Sequence, residues 1–510
     1  MKKWLKRLSV TILGIVVFLF LFLLEERFRG QISLARLKKS LAAQGEKIDP
    51  SDFALPPSKE ENGVPAIRRA IPQLKPGTIL PNDGPPKMEL LPSGHAIVGF
   101  QESEWVSDHK TNSWNAFALE WKTNETILFQ IRDALEKPVL NSDLNYALAP
   151  HLPFTNLASC RKLSFWFGGG SELSLHEGKN TEALERLLPQ IRLPRLIESD
   201  RLAISELVRI ALAAIAKNAT WEALQYEGWT DEDLRKIQAA WEREEFIDST
   251  ITALQGELVF DEATYQVMRR SNKETFQILF GMEEFLAGTD WEPPVWETVL
   301  RRAPGGDAAV EFLKKQIFCR IWSFAWSHQH QYRSARGINR LLQTTRAFAK
   351  GKSFSEVRVA IEQFKSEAIP KNFYDSLRYP EPLSPFSLAN VIEKTARVQT
   401  ERSMTLCAVA LQRYALRNGK FPASLNLLVP EFIGSVPIDY FDGEPMKYFL
   451  NDDGTVTLYS VGEDGQDNQG NSSLVSGKSG RSIWDRKDAV WPAPATPEEV
   501  AAFRTQAAKK

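Results

Sequence analysis

Hydrophobic patterning divides the chain into one unbroken apolar run and a long series of periodic segments. Residues 8–24 read LSVTILGIVVFLFLFLL, 17 positions without a charge, of which fourteen are Leu, Ile, Val or Phe. As a helix this run reaches ~26 Å, slightly short of the ~30 Å hydrocarbon core, and flanking residues can make up the difference. Transfer into lipid is favourable by roughly 4 to 8 kcal/mol. Lys2, Lys3, Lys6 and Arg7 precede the run and predict a cytoplasmic N-terminus. Glu25 and Glu26 suit the opposite side, while Arg27, Arg29 and Arg36 weaken the asymmetry. The expectation is a single-pass inner (cytoplasmic) membrane anchor, with residues 1–7 inside and the bulk extracytoplasmic or periplasmic. The rival is a cleaved signal peptide, which needs small residues in an A-x-A-like arrangement; EERFRGQ has none. No Cys lies near the run, so a lipoprotein is excluded.

Beyond the anchor, residues 31–43 (QISLARLKKSLAA) predict a short amphipathic helix with Ile32, Leu34, Leu37 and Leu41 on its apolar side, ended by Gly45. Ten prolines within residues 50–92 forbid regular helix and central strand, so residues 25–110 read as a juxtamembrane helix and a semi-extended Pro-rich stalk that wraps or leaves the membrane-proximal face. From 111 to 370 the 3.6-residue period dominates. Ile127, Leu128, Ile131 and Leu135 share a face, residues 173–190 read as helix, Gly-containing turn, helix, and residues 202–215 are apolar nearly all round. Thr230 with Asp233 three residues on forms a capping box. Phe312 onward and Gly337 onward continue the pattern, whereas Gly168-Gly169-Gly170 reads as a flexible break between helices. The fold class is mainly α: a transmembrane helix, an α-helical bundle or short α-solenoid over 111–370, and a small α+β module within 371–510. In that last region a helix over about 388–418 stops at Asn418-Gly419. Strands at 447–450 and 455–461 flank a turn at Asp452, Asp453 and Gly454, and a loop-rich tail follows.

Composition limits the functional classes. The 63 basic and 64 acidic residues give a net charge of −1, with no basic stripe for nucleic acid. Cys160, Cys319 and Cys407 are too few and scattered for a disulfide framework and read as buried small hydrophobes.

Residues 413–467 carry a more specific pattern: N-G-K-F-P after a helix, Leu428-Val429-Pro430, Val436-Pro437, Phe441-Asp442-Gly443 with Pro445, and Leu458-Tyr459-Ser460-Val461-Gly462 with Asp464-Gly465. This segment, about a tenth of the chain, resembles the C-terminal half of type II secretion major pseudopilins, which implies a small pilin-like α+β module. A pseudopilin also has a short leader, a processing Gly and a Glu just inside its apolar helix. The anchor lacks these, and a large helical domain separates it from the pilin-like end. Gly45-Glu46, Pro56-Pro57, Glu61-Asn62, Trp229-Thr230-Asp231 and Trp491-Pro492 together resemble a family of uncharacterised, membrane-anchored bacterial proteins. That resemblance implies placement and no mechanism.

Candidate chemistry is sparse. The loop GEDGQDNQGN, residues 462–471, clusters Glu463, Asp464, Asp467 and Asn468, oxygen donors of the kind calcium prefers, and Asp488 is a possible distant ligand. Pseudopilins bind calcium in the corresponding loop, so the resemblance implies Asp464 as a ligand. The competing reading is a solvated, turn-rich loop. SSLVSGKS at 472–479 has Ser472 in place of the first Gly of a phosphate loop and is followed by GRSIWD, with no helix signal. His328 and His330, two apart, point about 200° apart on a helix and cannot share a metal there. His176-Glu177 opens like a zincin motif, but Asn180 stands where the second His is needed. Acidic residues across 227–248 could hide a carboxylate pair, although Asp231, Glu232 and Asp233 already suit a helix start.

These features point to a non-catalytic, membrane-tethered protein that binds or assembles with protein partners in the cell envelope. The alternative is an extracytoplasmic hydrolase of an envelope polymer, which requires a convergent polar pocket within 111–370.

Overall fold

The computed structural model describes residues 2–53, 55, 60–77, 79, 88–107, 110–153, 157–281, 295–380 and 385–507. Pro56-Pro57 and part of the proline-rich stretch lie outside them. The molecule is mainly helical, with three small antiparallel sheets among the described residues.

The N-terminal apolar run does not end at Leu24. A single helix, α1 (Lys2–Ala43), carries it on through the segment expected as a separate amphipathic helix. EERFRGQISLARLKKSLAA has no Pro, and its one glycine, Gly30, is tolerated because α1 there runs against another helix. Gly45, at φ +81°, supplies the stop. Leu34 and Leu41 are buried as expected, whereas Ile32 is half exposed. No residue of the apolar window is buried, and the helix is long and apolar enough to cross a membrane.

The proline-rich region, expected to hold no regular helix, does form short ones. It contains α2 (Pro50–Phe53) and α3 (Val64–Ala70), the latter with Pro65 in its first turn, where the missing N–H costs nothing. Val64, Ile67 and Ala70 are buried in a helical core with α4 (Trp114–Leu135). The segment therefore wraps the domain.

The helical body comprises α4, α5 (Leu157–His176), α6 (Asn180–Arg192), α7 (Ala203–Leu224), α8 (Asp231–Glu242) and α9 (Ile247–Arg270). Helix α7 touches α5, α6 and α9, so the arrangement is a bundle around a central apolar helix. The Thr230–Asp233 capping box forms, and Gly178 at φ +71° makes the α5–α6 turn. The triple glycine is no break. It lies buried inside α5, where a methyl on Gly170 would stand 2.1 Å from Trp121 Nε1 and one on Gly168 2.5 Å from Gln190 Nε2. Close helix approach, not flexibility, is what these glycines provide.

After α10 (Asn272–Phe280), α11 (Val295–Arg301) and α12 (Gly306–Phe312), the chain continues through π-helical stretches at Leu313–Phe318 and Trp322–Trp326 into α13 (Ser327–Ala349). Helices α14 (Phe354–Ala368), α15 (Phe373–Arg378) and α16 (Ala389–Asn418) follow, with Gly419 at φ +70° capping α16 as its sequence predicts. Strands β1 (Lys447–Leu450), β2 (Val456–Ser460) and β3 (Ala489–Val490) form an antiparallel sheet with register Tyr448↔Leu458 and Ser460↔Ala489. Residues from Leu41 to Ala489 share the main core, which therefore draws on both sides of the expected boundary at 370/371. The tail is tied back across the molecule. Ala96 N donates to Ala493 O at 2.9 Å, Trp221 Nε1 to Pro492 O at 2.8 Å, and Arg486 to Leu91 O at 2.7 Å.

Candidate functional site

Two regions bear on function: the point where the apolar helix α1 meets the helical body, and the C-terminal loop. Beyond its apolar run, α1 enters the domain against α13. A methyl on Gly30 would stand 2.8 Å from Gln329 Cγ and 2.9 Å from Gln329 N, so only glycine permits this approach. Polar groups lock it. Gln329 Nε2 donates to Glu26 O at 2.7 Å and to Glu26 Oε2 at 2.8 Å, Lys38 pairs with Glu262 at 2.6 Å, and Glu46 accepts from Arg346 and Gln255. Glu26, expected only as a charge flanking the apolar run, is buried.

Helices α9 and α13 meet through a polar ladder. Ser334 Oγ donates to Asp261 at 2.6 Å, Gln331 Nε2 to Glu262 at 2.6 Å, and Tyr265 Oη bonds His330 Nδ1. Burial pushes Asp261 up to about 8 and His330 down to about 3, so both are neutral at pH 7 and suited to uncharged hydrogen bonds. His328 and His330 lie on one helix, as expected, and share no ligand position. His176 stacks on Trp114 at 4.2 Å and its Nδ1 bonds Phe100 O, a packing role.

A cleft of about 380 Å³ opens beside this ladder, between α13, the end of α14 and residues 369–379. Arg333, Arg336 and Arg340 fall at helical spacing on α13, and Lys371 faces them from the other wall. Two acids line the same cleft, and both are engaged: Glu367 takes Arg340 at 2.6 Å and Asp375 takes Arg378 at 3.0 Å. Tyr379 lies under Arg333 at 4.3 Å and Arg378 at 4.8 Å. Arg336 and Lys371 make no hydrogen bond or ion pair among the described residues, and both are exposed. The cleft is cationic with an aromatic wall, chemistry suited to holding an anion. The sequence reading missed it, although the 333/336/340 spacing is visible in RSARGINR.

A second cleft, about 470 Å³, has Arg195, Arg201, Glu198, Glu245 and Asp248 in its lining. Glu245 is occupied at a helix start, accepting from Ile247 N at 2.7 Å and Asp248 N at 2.8 Å. A buried carboxylate pair does exist, Glu172 with Glu222. Burial holds Glu222 near 8 and, with the Glu222 charge, raises Glu172 well above the usual range. Glu222 accepts Gly99 N at 3.0 Å. Both side chains are sealed in the interior and line neither cleft, so they cannot reach a polymer. Among the described residues no Ser or Cys donates to a His; Cys160, Cys319 and Cys407 are all free and buried.

The four expected calcium ligands fall in one loop system, yet they serve the loop itself. Asp464 accepts from Gln466 N at 3.0 Å, and Asp467 from Gln469 N at 2.8 Å and Tyr459 Oη at 3.0 Å. Asp488 is fully buried and accepts Asn468 N at 3.2 Å and Asn471 N at 2.9 Å. Asn468 Nδ2 donates to Gln466 O at 2.9 Å. No three carboxylate, His or Cys groups converge among the described residues. Only Asp488 has both carboxylate oxygens taken by loop amides, whereas Asp464 and Asp467 each accept through Oδ1 alone. The 472–479 segment is likewise no phosphate loop: Ser479 Oγ bonds Asp485 at 2.8 Å, and only a three-residue 3₁₀ turn follows.

No protein-family model matches this chain, and neither the curated proteins nor the solved structures give a significant match.

Proposed function

We propose that this chain is a single-pass, membrane-tethered extracytoplasmic protein with a non-catalytic binding or assembly role in the cell envelope. The observation that carries this reading is the continuity of α1. A helix whose apolar window has no buried residue becomes, without a joint, a packed helix of the folded body, pinned at Glu26 and Lys38 and, just past its end, at Glu46. A rigid entry of this kind fixes the domain's orientation to the bilayer and holds the cationic cleft near it. The basic residues before the apolar run support a cytoplasmic N-terminus. A long helix followed by a small antiparallel sheet is compatible with the pseudopilin resemblance of residues 413–467. An anion-holding cleft without an accessible nucleophile and base favours binding over hydrolysis.

The test is fractionation of cells expressing the full chain, followed by a carbonate wash and protease treatment of spheroplasts. The protein should stay with the membrane and be digested from outside, and crosslinking should recover envelope proteins. Recovery of the intact chain from the cytosol would refute the reading.

A further inference from the structure

The anchor's own aromatics report how deep the neighbouring surface sits. Phe20 stacks with Phe324 at 6.4 Å between ring centroids, and Phe22 meets Tyr374 at 6.1 Å. Phe20 and Phe22 belong to the apolar run, so Phe324 and Tyr374 stand at the level where the span leaves the lipid. The residues around Tyr374 are unusual for a soluble surface. Phe373 is 68% exposed and Ile369 60% exposed, with the unpaired Lys371 between them. Across the cleft stands Arg336, likewise without a hydrogen bond or ion pair among the described residues, and Tyr379 forms the wall. Exposed apolar side chains therefore adjoin the level of Tyr374, and the cleft that Arg336 and Lys371 line opens beside them. Phospholipid presents the same two chemistries in the same order, acyl chain and then phosphate.

We infer that this cleft and its apolar rim bind an anionic phospholipid, with the phosphate between Arg336 and Lys371 and the upper acyl chains against Ile369 and Phe373. Four cations against two acids, both acids engaged internally, leave a net positive site. A cleft of about 380 Å³ has room for a headgroup. The bound lipid would brace α15 against the membrane beside the span. This inference rests on the membrane-tethered reading.

Its test uses the full chain in non-ionic detergent micelles, with lipid binding read by native mass spectrometry. The probes are short-chain phosphatidylglycerol, short-chain phosphatidylcholine and inorganic phosphate. Wild type should prefer phosphatidylglycerol over phosphatidylcholine by about tenfold or more, and inorganic phosphate should not compete at equal concentration. One basic side chain near an anionic surface is worth about fivefold, so the double charge reversal Arg336→Glu/Lys371→Glu should weaken phosphatidylglycerol roughly 25-fold or more. Both side chains are exposed, so its Tm should match wild type. Phe373→Ser should weaken the lipid but leave its headgroup preference. Equal binding of the two lipids, an unchanged preference in the double variant, or full competition by inorganic phosphate would each overturn the inference. Binding in micelles is independent of where the protein fractionates in cells, so failure here is distinct from failure of the tethering reading.

Discussion

Gly170→Ala tests whether the triple glycine is a packing device or a hinge. Helix propensity alone makes the substitution stabilising, by about 1 kcal/mol at a helix interior. The structure reverses that sign. The new methyl would lie 2.1 Å from Trp121 Nε1, 2.6 Å from Cε2 and 3.0 Å from Cδ1, against an ordinary contact of roughly 3.5–4.0 Å. The indole has nowhere to go. It is 2% exposed, its Nε1 donates to Trp166 O at 3.0 Å, and the Arg186 guanidinium covers its ring at 3.7 Å. Overpacking costs about 1–3 kcal/mol, and a broken buried hydrogen bond costs about 1–3 more. Less the propensity gain, the net loss is about 3 kcal/mol, which at about 2 °C per kcal/mol lowers Tm by roughly 6 °C. Thermal unfolding of the full chain in detergent, followed by circular dichroism, gives the answer. A double variant with Trp121→Phe should show coupling of about 1 kcal/mol or more, since the smaller ring relieves the clash. A Gly170→Ala protein as stable as wild type, or more so, would refute the reasoning and restore a flexible break.

Three further outcomes follow from other parts of the molecule. Burial raises Glu222 and Asp261 to about 8 and Glu244 and Glu257 to about 7. The folded state then keeps protons that the unfolded chain has released, so this contribution to stability is complete below about pH 4 and is lost as pH rises through 7 to 8. His328, at about 4, and His330, at about 3, act with the opposite sign, but only below about pH 6.5. Tm should therefore fall between pH 6.5 and 8, and a rise would contradict the burial of these carboxyls. Gly30→Leu should separate α1 from α13 and make residues 25–45 a site of limited proteolysis in micelles; a digestion pattern like wild type would argue against the close approach. Asp488→Ala strands two loop amides and should lower stability by about 1–3 kcal/mol, while millimolar calcium should leave wild-type Tm unchanged. A calcium-dependent rise lost in Asp464→Ala would bring back the metal reading.

What the chain determined by itself was local. The apolar run, the Thr230–Asp233 capping box, the Gly178 turn, the end of α16 at Gly419 and the hairpin at Asp453-Gly454 each depend on residues within a few positions of one another. Propensity and capping act over that range, so the letters suffice. Tertiary structure decided everything that depends on distant partners. Gly168 and Gly170 are read as a break until Trp121 and Gln190 are seen against them. That Asp488 braces its loop through the amides of Asn468 and Asn471 shows only in the fold. The arginine face of α13 was legible as spacing, but its meaning came from Lys371, Phe373 and Tyr379 on another segment and from Phe20 and Phe22 on the anchor. A cleft is a relation between surfaces that the chain brings together only on folding, and the free energy that brings them together is spread over the shared core from Leu41 to Ala489.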